Sequence, residues 1–227
     1  SRDQLERVGE INKIERALRA CVEKRPEMTV VANCDDVLMT SVAWDHPNVV
    51  WVSAGAGWVN DSVTNPRGPG YVVRTPEGDW YATEKLADGT EFRRPSPTYT
   101  VDAQGLCTPS GQVPMHLTLP GRANRGNAAQ AVAAAVEAYD VPLDKAVSAV
   151  EGVDNVAGRY ATVTLGEHEV RLLLAKNPAG WQEALTMLDR DADGGGIAGN
   201  APQGDGAGGG RLRGPDHVDV AGEHGDE

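Results

Sequence analysis

Hydrophobic residues in this chain fall into a few periodic stretches separated by polar or glycine-rich breaks. Leu5, Val8, Ile11, Ile14, Leu18 and Cys21 recur at spacings of three and four with charges between them, which predicts an amphipathic helix ending before Pro26. Thr29-Val30-Val31-Ala32 and Val49-Val50-Trp51-Val52 are short apolar runs of the kind that form buried strands. Asn33-Cys34-Asp35-Asp36 stops the first of them. Its aspartates either face a site at the strand's carboxyl end or form an Asx turn that caps the next short helix. Helix, strand, polar turn and strand in this order predict a parallel sheet with flanking helices.

Residues 55–101 break the pattern. Gly55, Gly57, Pro66, Gly68, Pro69, Gly70, Pro76 and Gly78 are dense there, and only Tyr71-Val72-Val73-Arg74 and Trp80-Tyr81-Ala82-Thr83 read as strands. A small two-stranded insert is the economical expectation. A two-stranded ribbon is marginal by itself, so packing of Trp58, Trp80, Tyr81 and Phe92, or a metal, has to hold it.

Periodicity resumes at Pro114-Met115-His116-Leu117-Thr118-Leu119, which is expected as a strand with His116 at the surface. It runs into Gly121-Arg122-Ala123-Asn124-Arg125-Gly126-Asn127 and an alanine-rich helix whose stripe is Ala128, Ala129, Val132, Ala133 and Val136. A glycine turn, two asparagines three apart and a helix N-terminus make a polar platform, because first-turn N–H groups have no partner within the helix. Asparagine amides donate and accept, as an adenine edge requires. The same residues also suit a plain N-cap after a turn. Asp144–Glu151 forms a second helix with Gly152 at its end.

Beyond Gly158-Arg159-Tyr160, the runs Ala161–Leu165 and His168–Leu174 around Gly166-Glu167 predict a hairpin. Asn177 as cap, Pro178 in the first turn, and Trp181, Ala184, Leu185 and Leu188 predict a further helix. Residues 192–227 hold 12 of the 27 glycines and only four large aliphatics, Ile197, Leu212, Val218 and Val220. Such a segment cannot bury enough surface to offset its chain entropy, so a disordered tail is expected.

Composition narrows the function. The 227 residues carry a formal charge of -12, which argues against a binder of phosphate backbones and hence against nucleic acid as a partner. Aromatics are only 5%, so the core is built from Val, Leu, Ile and Ala. Cys21, Cys34 and Cys107 are far apart and indicate reduced thiols rather than a zinc site or disulfide framework. No run approaches the roughly 18 apolar residues of a membrane span. The chain starts at Ser1 and reads as a piece of a longer protein.

Taken in order, Arg2-Asp3-Gln4-Leu5-Glu6-Arg7-Val8-Gly9-Glu10, Asn33-Cys34-Asp35-Asp36, Leu119-Pro120-Gly121 with Asn124 and Asn127, Gly158-Arg159, and Leu173 to Trp181 resemble motifs of the Mur ligase superfamily. The last, Leu-Leu-Ala-Lys-Asn-Pro-Ala-Gly-Trp, is similar to its MurT branch of actinobacterial type, the ligase-like subunits of lipid II isoglutaminyl synthases. The resemblance covers residues 1–191. It implies an α/β fold with three parts: a partial central ATP-binding domain over 1–157, with a parallel sheet, flanking helices and the insert at about 55–101; the start of a second, Rossmann-like domain over 158–191; and the aberrant tail over 192–227.

For function, the resemblance implies a cytoplasmic enzyme subunit, peripheral at the inner face of the membrane, that works with ATP and Mg2+. The D-glutamate α-carboxylate of the lipid II stem peptide is activated as an acyl phosphate. Ammonia from a GatD-like glutamine amidotransferase partner then gives D-isoglutamine. By motif, Asn124 and Asn127 hold the adenine, Arg159 in the hinge reaches the ribose or phosphates, and Lys176 and Asn177 close over the nucleotide.

Departures from the pattern qualify this. Gln4 stands where other Mur ligases place a metal-binding His, and Asn65-Pro66-Arg67-Gly68 and Trp80 to Glu84 stand where relatives carry zinc-binding cysteine pairs, so no zinc is expected. The Gly-x-x-Gly-Lys-Thr/Ser phosphate loop belongs upstream of Ser1 and the chain lacks it. Two alternatives therefore stay open: an inactive ligase fragment that at most docks the amidotransferase, and a Mur- or folylpolyglutamate-type ligase that adds an amino acid.

Overall fold

The computed structural model describes residues 11–55, 63–153 and 160–173. Helix α1, Ile11–Glu23, leads to strand β1, Val30–Asn33, helix α2, Val37–Ala43, and strand β2, Val49–Ser53. β1 and β2 pair in parallel with Val30 opposite Val49. Asp36 starts α2, its Oδ1 accepting from Leu38 N at 2.8 Å and Met39 N at 3.1 Å. One of the two expected aspartate roles, the Asx cap, is therefore taken by Asp36.

A separate three-stranded sheet follows, made of β3 (Val63–Thr64), β4 (Tyr71–Arg74) and β5 (Trp80–Ala82) in that order. The expected two-stranded ribbon gains β3, whose two residues are too few to give a periodic signal. Trp80 and Phe92 are fully buried, with ring centroids 5.1 Å apart, and Trp44 meets Phe92 edge-on at 5.0 Å. Tyr81 is 48% exposed and contributes little; Trp58 lies outside the described residues. The turn before β4 is closed by Asn65, whose Nδ2 donates to Pro69 O at 3.0 Å while its Oδ1 accepts from Arg67 N at 3.0 Å. Arg67 ties this turn to α2 through Ser41 O, at 3.1 Å, and to Asp45 just beyond the helix.

The chain then returns to the main sheet. β6 (Tyr99–Val101) lies parallel to β2, and β7 (Leu106–Thr108) and β8 (Gly111–Val113) add antiparallel strands, giving the order β1-β2-β6-β7-β8. The parallel sheet expected from the sequence thus carries an antiparallel edge. The strand expected at Pro114–Leu119 does not form. Pairing stops at Val113 because Pro114 has no N–H to give the ladder. The alternation there instead reflects Met115, 5% exposed and buried in the core, and His116, exposed with its N–H donating to Glu151 Oε1 at 2.7 Å.

Helices α3 (Arg122–Tyr139) and α4 (Leu143–Glu151) cover one sheet face. Ala129, Val132 and Ala133 of α3, with Ala146 and Val147 of α4, close over Val52, Tyr99, Val101 and Leu106. Small residues at the helix contact let α3 lie close on the strands. Helix α1 packs on α2 by a means its pattern did not predict. Leu18 is 42% exposed and Cys21 is exposed, whereas Glu15 is 2% exposed. A hairpin of β9 (Tyr160–Leu165) and β10 (His168–Leu173) forms as expected, turning at Gly166 with φ 62°. The expected helix after Asn177 and the glycine-rich tail lie outside the described residues.

Candidate functional site

In parallel α/β sheets ligands collect at the carboxyl ends of the strands. Here β1 and β2 end at Asn33 and Ser53, and the start of α3 is brought to the same place. Arg122 Nη1 donates to Gly55 O at 2.9 Å, and a Cβ placed on Gly126 would sit 3.1 Å from the Ala54 methyl. Glycine at 126 is what lets the helix come this near. The helix starts at Gly121, whose φ of 95° suits glycine and whose missing side chain leaves it without a side-chain cap.

Neither asparagine is therefore the N-cap. Asn124 sits in the first turn, its Nδ2 donating back to Pro120 O at 2.6 Å, and Asn127 lies one turn on, exposed. Residues three apart on a helix share a face, so both asparagines lie on one side of α3. One Nδ2 hydrogen of Asn124 is committed to Pro120, which leaves its Oδ1 and second N–H for a base edge. The other three expected contacts, Arg159, Lys176 and Asn177, lie outside the described residues.

The first turn of α3 has no acidic residue and carries Arg122, with Arg125 just behind it. Cations are unfavourable at a helix N-terminus, and this chain is strongly acidic overall. Such a local conflict is characteristic of a functional surface. Arg125 Nε is moreover buried without a hydrogen-bond partner among the described residues.

Behind the platform lies a polar node built on Asp35, one of the two aspartates expected to face a site; its partners Ser53 and Arg94 were not expected there. Asp35, 6% exposed, accepts from Ser53 Oγ at 3.0 Å through Oδ1, from Ala54 N at 2.9 Å through Oδ2, and from Arg94 Nε and Nη2 at 3.0 and 2.8 Å. Arg94 arrives from the insert side of the sheet, 59 residues along the chain, so no local spacing announces it. Cys34, beside Asp35, is wholly buried, and desolvation pushes its thiol up to about 12.

The amide groups of Asn124 and Asn127 suit the adenine edge of a nucleotide. Among the described residues no three His, Cys, Asp or Glu side chains converge on one point, and the sequence holds no Gly-x-x-Gly-Lys-Thr/Ser loop. Two clefts of about 450 and 470 Å3 lie elsewhere, the first around Trp44, Trp51, Arg93 and Arg94, the second between Pro114 and α4. Asn124 and Asn127 line neither. Among the described residues no helix is long and apolar enough to cross a membrane.

No protein-family model matches the chain, and no curated protein matches it. Among solved structures, it is similar to a pseudomurein peptide ligase type C from Methanothermus fervidus, with a TM-score of 0.58 and 21% identity. The match covers 77% of this chain and 37% of that one, so the chain spans little more than a third of the ligase's length. At that identity the likeness establishes the fold: an α/β architecture with a parallel-containing sheet, shared with a peptide ligase.

Proposed function

We propose that this chain is part of an ATP-dependent ligase of the Mur type, with Asn124 and Asn127 at the adenine end of the nucleotide site. The observation that carries the reading is the seating of the α3 N-terminus, which bears both asparagines, against Ala54-Gly55 at the end of β2 through Arg122 and Gly126. The peptide-ligase fold supports the same class. Within that class we assign the chain to the subunit that turns the D-glutamate α-carboxylate of the lipid II stem peptide into D-isoglutamine, with ammonia from a GatD-like amidotransferase. The Leu173–Trp181 motif supports this finer assignment. ATP supplies activation of a carboxylate that is otherwise a poor electrophile. Arg159, Lys176 and Asn177 complete the nucleotide contacts in this reading.

The test has two stages. Calorimetry on this chain should detect ATP, with affinity lowered in Asn127→Ala; an equal heat for both proteins would remove the adenine assignment. The corresponding full-length protein, with its amidotransferase partner, should amidate lipid II from glutamine and ATP.

A second reading has the neighbour itself in its favour, since that protein is a peptide ligase. The enzyme would then join an amino acid rather than ammonia to the carboxylate. Offering the full-length protein ammonia against a panel of amino acids separates the two.

A further inference from the structure

The insert grips the ends of the parallel strands at three points. Arg74 Nη2 donates to Asp35 O at 2.6 Å, Trp80 Nε1 donates to Cys34 O at 2.8 Å, and Arg94 forks onto Asp35 Oδ1. Arg94 Nη2 also donates to Ser53 Oγ at 2.8 Å. From this node the contacts run on to the candidate site. Asp35 Oδ2 accepts from Ala54 N, Ser53 Oγ accepts from Gly55 N at 3.2 Å, and Gly55 O takes the Arg122 guanidinium.

The turn at Ser53–Gly55 is thus defined by side chains. Gly55 has φ 80°, a conformation that glycine leaves as readily as it enters. The ion pair that organises it is largely withdrawn from water, with side-chain exposures of 18% for Arg94 and 6% for Asp35, so salt screens it weakly. A guanidinium using Nε and Nη2 together has a fixed orientation, which a lysine ammonium cannot reproduce.

We propose that Arg94 is a positioning residue for the nucleotide platform: through Asp35 and Ser53 the insert fixes the turn against which Arg122 and Gly126 seat the start of α3. Arg94 touches no ligand in this scheme. The proposal rests on the reading of Asn124 and Asn127 as nucleotide contacts. It gives the insert a function, since an element packed on one side of the sheet sets the geometry at the strand ends.

The experiment compares the full chain with Arg94→Gln, Arg94→Lys and Arg67→Gln, the last cutting a different insert anchor that does not reach the turn. Amide exchange at Ala54 and Gly55 and ATP affinity are read together. Arg94→Gln should speed exchange at both amides by about tenfold or more while Ala32 and Val52 in the strands stay protected, and should weaken ATP about tenfold. Arg94→Lys should recover only part of either effect, and Arg67→Gln should move neither.

Unchanged exchange at Ala54 and Gly55 in folded Arg94→Gln overturns the link. Unchanged ATP affinity alongside faster exchange overturns the positioning role. A wild-type chain that binds no ATP sinks the nucleotide reading and the positioning role with it, while the exchange data still decide the link. Should Arg94→Gln fail to fold, Ser53→Ala removes the shared hydroxyl, keeps the ion pair, and is judged on the same two readouts.

Discussion

The Ser41 hydroxyl donates to Glu15 Oε1 at 2.7 Å, joining α1 to α2 across a contact in which the carboxylate is 2% exposed. Arg19, one turn along, stands 3.3 Å from the same oxygen and is 25% exposed. A buried charge kept in this way is weak as a source of net stability but costly to break from one side. Glu15→Ala should cost about 3 kcal/mol, since Ser41 loses its acceptor as well. Glu15→Gln should cost less, because the amide oxygen can still accept. Urea unfolding of both variants checks this, and equal losses would mean that the charge rather than the hydrogen bond holds the helices together.

Tyr99 links the sheet to α3, its hydroxyl donating to Glu137 Oε1 at 2.5 Å. Burial, and then the neighbouring carboxylate, raise the phenol above its ordinary range. In an alkaline absorbance titration one tyrosine should therefore ionise only as the fold is lost, and Tyr99→Phe should abolish that late step. Because Glu137 is exposed and can turn to water, Tyr99→Phe should cost only about 1 kcal/mol.

Cys34 is buried while Cys21 and Cys107 are exposed. At pH 8 two thiols should react with a disulfide reagent at once and the third only on unfolding. The folded value near 12 lies above the 9.0 of the unstructured thiol, so the native state holds the proton longer. The stability this contributes is complete below pH 9 and is lost as pH rises from 9 toward 12. Cys34→Ala should flatten that limb of the stability curve, measured by urea midpoints across the range.

Gly126 probes the seating of α3. Alanine there gains helix propensity of about 0.5–1 kcal/mol but brings its methyl to 3.1 Å from Ala54, so Gly126→Ala should be close to neutral. Gly126→Val should cost about 1–3 kcal/mol by overpacking and should weaken ATP more than Asn127→Ala does, since it displaces the whole helix start. Thermal melts and calorimetry on the same samples separate the two effects.

Asn127 is exposed. Asn127→Ala should therefore leave stability within about 0.5 kcal/mol while lowering ATP affinity. A variant that loses both together would mark the residue as structural.

The sequence by itself determined the elements whose signals are local. The 3.6 period over Ala129, Val132 and Ala133 produced α3, the apolar runs at Val30 and Val49 produced the parallel pair, and Gly166-Glu167 turned the hairpin. Asp36 was legible as a cap because a cap is decided within three residues. Elements of two or three residues, such as β3, β7 and β8, carry no period and take their identity from the strands beside them. Tertiary structure alone decided that Glu15 rather than Leu18 faces α2, that Asn124 turns back to Pro120, and that Arg94 meets Asp35. Each depends on which groups from distant parts of the chain arrive in one place with their hydrogen-bonding needs unmet, and a buried polar group must find such a partner wherever the fold supplies it.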